Sequence, residues 1–370
     1  MYPSNSSSLS SQIEPEIILG SEYNDWVLTS PINSGSFGHV YICQNKLDPT
    51  KTAAIKIFHS PSNGEAEVSI LERFNHAAGV INMIDYGDSR LGYYIVMDLQ
   101  GIDLSTFTRK LPTHRLTVGS TYRVFLRIMK ILQLIHNEGI VHGDIKPANF
   151  VIKDSSDIVL IDFGLAETIT DVYGNTRRTK GCGFRGTPRY AAPNVHLGNA
   201  PTQGDDTISA FYIFFENFCG KLDWDGLEDE REIYRKKVEF RDKTVYDIDN
   251  LRMDEIDTFL QISARDPKYT NILKTFTKTI VERNMSLSPL FDKEEIETLP
   301  TKNENCYYGT APFTPLNGVS KTDKTTKSKG EDSTKGYLDE LFKTMKKVSL
   351  PKLPKFKDVI GKAIDNIPFL

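Results

Sequence analysis

His142-Gly143-Asp144-Ile145-Lys146-Pro147-Ala148-Asn149, followed downstream by Asp162-Phe163-Gly164, is the stretch on which the reading of this chain turns. Asp144 supplies a carboxylate that can sit beside an accepting hydroxyl and take its proton. Lys146 can reach a transferring phosphoryl group. Asn149 and Asp162 add an amide and a second carboxylate, hard oxygen donors suited to Mg²⁺ between phosphates. The apolar runs Ile140-Val141, Phe150-Val151-Ile152 and Ile158-Val159-Leu160-Ile161 predict short buried strands that hold the two polar loops side by side. The order Asp-x-Lys-x-x-x-x-Asn and then Asp-Phe-Gly is what phosphoryl transfer from ATP to a hydroxyl requires. Each piece alone has a plainer reading, Asp-Phe-Gly as a strand leaving through a turn and His-x-Asp as a surface loop. Order, spacing and upstream partners together favour the chemical reading.

Upstream, Trp26 to Phe58 alternates apolar and polar residues in three runs, broken at Asn33-Ser34-Gly35 and Asp48-Pro49-Thr50. That pattern predicts an antiparallel meander. The first break opens Gly35-Ser36-Phe37-Gly38-His39-Val40, where glycine lets the backbone approach phosphates and aim its N–H groups at them. Ala53-Ala54-Ile55-Lys56-Ile57 is the third strand, with one lysine in an apolar run. A buried lysine needs a charged partner. Glu65 and Glu67 are the candidates, on a segment where Val68, Ile70, Leu71 and Phe74 form a stripe near helical period. Glu67 is expected to face inward and Glu65 to be a solvated first-turn charge. Downstream, Val124, Phe125, Ile128, Ile131, Leu132 and Ile135 predict an amphipathic helix. Ile208, Phe211, Tyr212, Phe214, Phe215 and Phe218 predict a helix apolar almost all round. With Asp205, Asp206 and Glu216 in it, that helix belongs in a core and not in a membrane.

On these residues the chain resembles a eukaryotic protein kinase over about residues 23–290. The resemblance implies an α+β, bilobal protein kinase fold, with a small antiparallel β-rich N-lobe (23–98) and a larger, mainly helical C-lobe (99–290). It implies ATP and Mg²⁺ as cofactors and proteins as substrates. Catalytic roles pass to Asp144, Lys146, Lys56, Glu67 and Thr187, and metal binding to Asn149 and Asp162. ATP would lie against Ile32, Asn33, Ser34, Gly35, Ser36, Phe37, Gly38, Val40, Ala54, Lys56, Met97, Asp98 and Leu99. Met97 would be the gatekeeper, and the backbone of Asp98 and Leu99 would face adenine. Asp206 stands where that family has a buried aspartate bracing the catalytic loop. Gly186-Thr187-Pro188-Arg189-Tyr190-Ala191, with His196-Leu197-Gly198, is similar to the casein-kinase-1 group. Phe184-Arg185-Gly186-Thr187 is similar to its tau-tubulin-kinase branch, and His-Gly-Asp to the vaccinia-related kinases. The Lys146-centred loop and Gly186-Thr187 imply serine/threonine preference. Relatives in this group hold an anion of the substrate with basic residues, here Arg189 and, from the run Arg235-Lys236-Lys237, Arg235. Lys236 and Lys237 are expected on a solvated helix face.

Three positions depart from the family pattern. Gly143 replaces the arginine that usually reads a phosphate on the activation segment, so charge added at Thr168, Thr176 or Thr179 would lack its receptor. Asn194 replaces the glutamate of Ala-Pro-Glu. Asn33 replaces the first glycine of Gly-x-Gly-x-x-Gly, and asparagine tolerates left-handed φ better than other residues bearing a Cβ. None removes a group the chemistry needs. An active kinase is therefore favoured over the alternative, a kinase-fold scaffold or pseudokinase acting by binding.

The length of 370 residues fits one domain of about 270 plus tails. A net charge of −4 argues against general nucleic-acid binding. Cys43, Cys182, Cys219 and Cys306 are scattered, with no Cys-x-x-Cys pair to suggest zinc or a disulfide framework. They suit a reducing compartment, so a cytoplasmic location is expected, with the nucleus as the alternative. Residues 1–22 are expected to be a disordered, Ser-rich tail without a signal peptide. Residues 291–335, rich in Lys, Thr, Ser and Asn, read as a flexible linker. In 336–370, Leu338, Leu341, Phe342, Met345 and Val348 recur at helical spacing beside Lys343, Lys346 and Lys347. Val359, Ile360, Ala363, Ile364 and Ile367 make a second stripe after Pro351 and Pro354. This basic amphipathic segment is expected to pack on the core or to dock on a partner protein or membrane surface.

Overall fold

The computed structural model of the protein describes residues 17–169, 183–263 and 267–299. Six strands form one antiparallel sheet: β1 (Glu22–Tyr23), β2 (Trp26–Gly35), β3 (Gly38–Asn45), β4 (Thr52–Phe58), β5 (Met83–Ser89) and β6 (Gly92–Asp98). The order is β1-β2-β3-β4-β6-β5, with helix α1 (Pro61–Leu71) inserted between β4 and β5 in the chain. Side chains alternate across a strand, and β4 shows the consequence. Ala53, Ile55 and Ile57 join Tyr94 and Val96 in a cluster on one face of the sheet. Phe58, with Ile95 and Met97 of β6, packs with Val68, Leu71 and Phe74 on the other. Lys56 shares the parity of Phe58, so period two alone turns it toward α1. The helix presses close: a Cβ at Gly64 would lie 2.2 Å from Tyr93 Cδ1 and 3.0 Å from Phe58. Only glycine fits there.

The second lobe is helical. Helices α2 (Leu104–Lys110) and α3 (Val118–Asn137) precede four short strands, β7 (Ile140–Val141), β8 (Phe150–Asp154), β9 (Asp157–Leu160) and β10 (Glu167–Thr168). β8 pairs with β9 and β7 with β10, which brings the two polar loops together as the apolar runs predicted. There follow α4 (Pro193–His196), α5 (Gln203–Cys219), α6 (Glu230–Asp242), α7 (Met253–Leu260), α8 (Tyr269–Glu282) and α9 (Lys293–Ile296). Helix α5 starts at a capping box, Thr202 with Asp205, and ends at Gly220 in the left-handed region. Its aromatic surface lies against α3 and α8: Phe125 is 4.7 Å from Phe211 and 4.5 Å from Phe276, ring to ring. Each buried ring of this kind contributes roughly 1.5–3 kcal/mol through its area.

Three boundaries differ from expectation. Strand β2 runs through Asn33-Ser34-Gly35, so the hairpin turns at Ser36-Phe37, with Gly35 paired to Gly38. The packed domain also overruns both expected ends. Gly20 N–H donates to the Leu28 carbonyl and β1 begins at Glu22, inside the stretch expected to be a tail. At the other end, Phe291 is fully buried and Leu299 packs on the core, beyond the expected limit at 290. Polar contacts make that extension. Glu295 accepts from Thr117 N–H at 2.7 Å at the start of α3, and Arg123 reaches the Leu290 carbonyl at 3.1 Å and Asp292 at 2.5 Å. Residues 1–16 and 300–370, with the rest of the expected linker and the basic segment, lie outside the described residues. Among the described residues no helix is long and apolar enough to cross a membrane.

Candidate active site

A cleft of about 880 Å³ lies where the β2–β3 hairpin, β4 and α1 meet the β7–β9 loops and the segment 184–187. Lys56 is the centre of its charge. Its Nζ lies 2.7 Å from Glu67 Oε2 and 2.7 Å from Asp162 Oδ1. Burial opposes the ammonium, but the two carboxylates outweigh it and raise its pKa. The carboxyl of Asp162 is pushed up by burial and pulled down more strongly by Lys56, so it stays below its usual range. Glu67 is fully enclosed, and there burial prevails over the pull of Lys56 and raises its carboxyl. Glu65 is exposed, as expected.

Asp162 sits at φ 62°, and the next side chain, Phe163, is buried between Phe74 and His142. An inward Phe163 leaves Asp162 facing the cleft. Its neighbour is fixed by backbone pairing: Ile161 N–H donates to the Asn149 carbonyl at 2.9 Å. Asn149 Nδ2 donates to the Asp144 carbonyl at 2.9 Å, which leaves the amide oxygen as the acceptor end. Asp144 Oδ1 accepts from Thr187 Oγ1 at 2.7 Å and Oδ2 from Lys146 Nζ at 2.6 Å; Lys146 also reaches Thr187 Oγ1 at 3.2 Å. The loop carrying Asp144 hangs from Asp206 of α5. That carboxylate accepts from His142 N–H at 2.7 Å, Gly143 N–H at 2.9 Å and His136 Nε2 at 3.0 Å. Behind it, Tyr269 OH lies 2.5 Å from His136 Nδ1.

Of the residues assigned to ATP, Asn33, Gly35, Ser36, Phe37, Gly38, Val40, Lys56 and Met97 line the cleft. Ile32 and Ala54 are buried beside it, Ala54 paired opposite Met97, while Ser34 bonds His39 with its hydroxyl at 3.0 Å. Asp98 N–H goes to the Asn82 carbonyl at 3.0 Å, and neither Asp98 nor Leu99 is among the lining residues. The cleft also takes in Ile161, from the predicted apolar run, and Ile81, Asp103 and Arg109, which carried no periodic signal. Asp103 had one of another kind: it is the N-cap of α2, accepting from Thr106 N–H at 2.9 Å. The donor set suits the expected cofactors. One carboxylate and one amide oxygen are hard ligands for Mg²⁺, which is commonly held by one or two protein groups plus phosphates.

The substrate-binding assignment needs correction at Arg189. Its guanidinium is engaged by Glu216 at 2.7 Å and by Asp225, so an arriving anion would meet two carboxylates at that arginine. Arg235 stays exposed, with a weak pair to Glu232 at 3.3 Å. Lys236 is also solvated, but Lys237, expected beside it on the surface, is fully buried.

Gly143 adopts φ +77°, and a Cβ there would sit 3.1 Å from the Leu165 carbonyl. A Cβ on Gly186, also at positive φ, would lie 2.9 Å from the Gly143 carbonyl. Glycine at 186 lets the end of the activation segment approach the Gly143 carbonyl, and glycine at 143 lets the catalytic loop pass the Leu165 carbonyl. An ion pair between Arg185 and Glu167 ties the same segment to β10. Asn194 donates to Asp205 at 2.9 Å at the start of α5. Of the three threonines named as phosphate acceptors, Thr168 ends β10, and Thr176 and Thr179 lie outside the described residues.

Comparison with known proteins gives a concordant picture. Residues 26–288 match the protein kinase domain family. A probable serine/threonine-protein kinase of Dictyostelium discoideum is 32% identical over 223 residues, covering 58% of this chain and 45% of that protein. A putative casein kinase I of Caenorhabditis elegans is 26% identical over 228 residues, covering 58% of this chain and 66% of the relative. The matched stretch thus spans about half the length of the first relative and just under two thirds of the second. Among solved structures, that of vaccinia related kinase 3 superposes with a TM-score of 0.64 at 17% identity, over 77% of this chain and 96% of that one. At that identity the likeness is one of fold.

Proposed function

The chain belongs to the protein kinase domain family, and from that premise we propose that it is a serine/threonine kinase that phosphorylates proteins with Mg-ATP. The observation that carries this reading is the intact chain of contacts Glu67–Lys56–Asp162 across the cleft from Asp144. A binding-only scaffold has no need to keep a fully buried carboxylate and a lysine paired with a half-buried metal-type aspartate. ATP supplies the phosphoryl group and Mg²⁺ offsets the charge that develops on it. For the protein's part, Asp144 orients the substrate hydroxyl and takes its proton, and Lys146 and Thr187 hold that carboxylate in place. Asn149 and Asp162 would hold the metal ion, Lys56 would hold phosphate oxygens, and the Gly35–Gly38 hairpin would cover them. Purified full chain, incubated with labelled Mg-ATP and a panel of acidic, primed and neutral peptides, should label serine or threonine. No label on any acceptor would favour the scaffold.

Within the family, the group reading is casein kinase 1. It is supported by Gly186-Thr187-Pro188-Arg189-Tyr190-Ala191 and by the name of the C. elegans relative; within the group, Phe184-Arg185-Gly186-Thr187 favours the tau-tubulin-kinase branch, with a His-Gly-Asp loop like that of the vaccinia-related kinases. Activity is expected without activation-segment phosphorylation, because Gly143 offers no guanidinium and the segment is already held by Arg185–Glu167 and by the Gly143–Gly186 contact. Phosphatase-treated protein should keep most of its rate. A hundredfold drop, restored by rephosphorylation, would overturn this.

Acidic or primed substrates remain the proposed class, with Arg235 as the cation available. A charge-assisted contact contributes about 1.5–3 kcal/mol, so Arg235→Ala should cut the preference for acidic over neutral peptides by roughly tenfold or more. An unchanged ratio removes Arg235 from substrate recognition. Residues 336–370 are proposed as a docking element for a partner protein or membrane surface in a cytoplasmic setting. Truncation after Lys335 should change capture or location while leaving peptide kinase activity intact; a large loss of melting temperature would make the segment structural instead.

A further inference from the structure

Lys237 is charged in type, carried by a polar helix, and fully buried. Its Nζ lies 2.5 Å from the Pro188 carbonyl, 2.6 Å from the Ala191 carbonyl and 3.1 Å from His196 Nε2. The rings of Tyr212 and Trp224 stand 5.2 Å away on its remaining sides. Three acceptors and two ring faces make a complete shell for an ammonium, which has three N–H groups to give. Burial and nearby Arg189 push its pKa down, and the two carbonyls and two ring faces oppose that by favouring the charged form. Burial and Lys237 take His196 down to about 4, which keeps the imidazole neutral and able to accept.

What Lys237 grips is the turn that follows Thr187. The Thr187 carbonyl accepts from Tyr190 N–H at 3.0 Å and Ala191 N–H at 2.9 Å, closing the turn. Trp224 Nε1 takes the Arg189 carbonyl at 2.7 Å. The carbonyls of Pro188, Arg189 and Ala191 are therefore all bound by α6 or by the residues leading into it. At the head of this turn, the Thr187 hydroxyl meets Asp144 and Lys146.

We propose that Lys237 is a positioning residue that fixes the turn 187–191 from helix α6, and through it the placement of Thr187 and of the peptide against Asp144. The inference rests on the kinase reading of Asp144 and Thr187. A lysine that merely filled space would be replaceable by methionine, which has similar length and no donors.

In the full chain, Lys237→Met should raise peptide KM at least tenfold and lower peptide kcat while ATP KM stays within twofold of wild type. Amide exchange at Tyr190 and Ala191 should quicken while α6 keeps its protection. Lys237→Gln, which keeps an NH2 group with two N–H donors, should fall between, and it carries the same two measurements if the methionine variant does not fold. Unchanged peptide KM and unchanged exchange would overturn the proposal. So would a parallel rise in ATP KM with exchange quickened throughout the helical lobe, the mark of a general packing defect. A wild-type chain that transfers no phosphate would sink the kinase reading, and the exchange measurement would then decide the role of Lys237 by itself.

Discussion

Asp162→Asn should reduce phosphoryl transfer by about a thousandfold or more while leaving the melting temperature nearly unchanged. The substitution keeps the shape of the side chain and removes its charge. A metal ion at a transferring phosphoryl group is worth several kcal/mol of charge stabilisation, and each decade of rate corresponds to about 1.4 kcal/mol. The carboxylate that would hold the metal is ionised, because Lys56 outweighs the effect of burial on it. The fold has little at stake. Asp162 is 37% exposed, and Lys56 keeps its contact with the enclosed Glu67 when Asp162 is neutralised. Single-turnover transfer from labelled Mg-ATP and a thermal melt read the two halves separately. Equal label from wild type and variant would hand the chain to the scaffold reading. A melting temperature lowered by many degrees would mean that Asp162 braces the lobes structurally.

What could be read from sequence follows the range of each interaction. The catalytic loop and Asp-Phe-Gly are local, and their flanking apolar runs announce strands, so β7 to β9 emerged where expected. Lys56 was legible because β4 is apolar around it, and Glu67 because helical spacing separates it from Glu65. Arg189 was not. Its partners Glu216 and Asp225 arrive from α5 and the loop beyond, and nothing near Arg189 in the chain reports them. Lys237 failed for the opposite reason, because its neighbours are charged and the run looked uniformly solvated. A signal was nevertheless present. Ile233, Lys237 and Phe240 fall at helical spacing on one face of α6, and all three are buried. The end of the domain also left a trace: Asp292 and Glu295 form a capping box for α9, a helix-start signature within a stretch that composition assigned to linker. Composition averages over such pairs; spacing does not.

Asp206→Ala should destabilise the protein by roughly 3–5 kcal/mol, as expected when one partner of a buried charged network is removed. Asp206 is 2% exposed, and its carboxylate is the acceptor for two backbone N–H groups and one imidazole nitrogen. Alanine leaves the N–H groups of His142 and Gly143 buried without that partner, at roughly 1–3 kcal/mol each. At about 2–4 °C per kcal/mol for a domain of this size, the melting temperature should fall by roughly ten degrees. Transfer activity should fall further than stability explains. The released segment carries Asp144, and Gly143 keeps its backbone contact with Gly186 only while its left-handed conformation is held. Asp206→Asn gives the control: one carbonyl oxygen remains to accept, while the new NH2 faces donors, so its melting temperature should lie between the alanine variant and wild type. Assayed well below its own melting temperature, the alanine variant should show depressed kcat with ATP KM little changed, because the Lys56–Glu67 side of the cleft is untouched. If it melts within two degrees of wild type and turns over normally, the catalytic loop is held by its strands alone, and Asp206 is not its anchor.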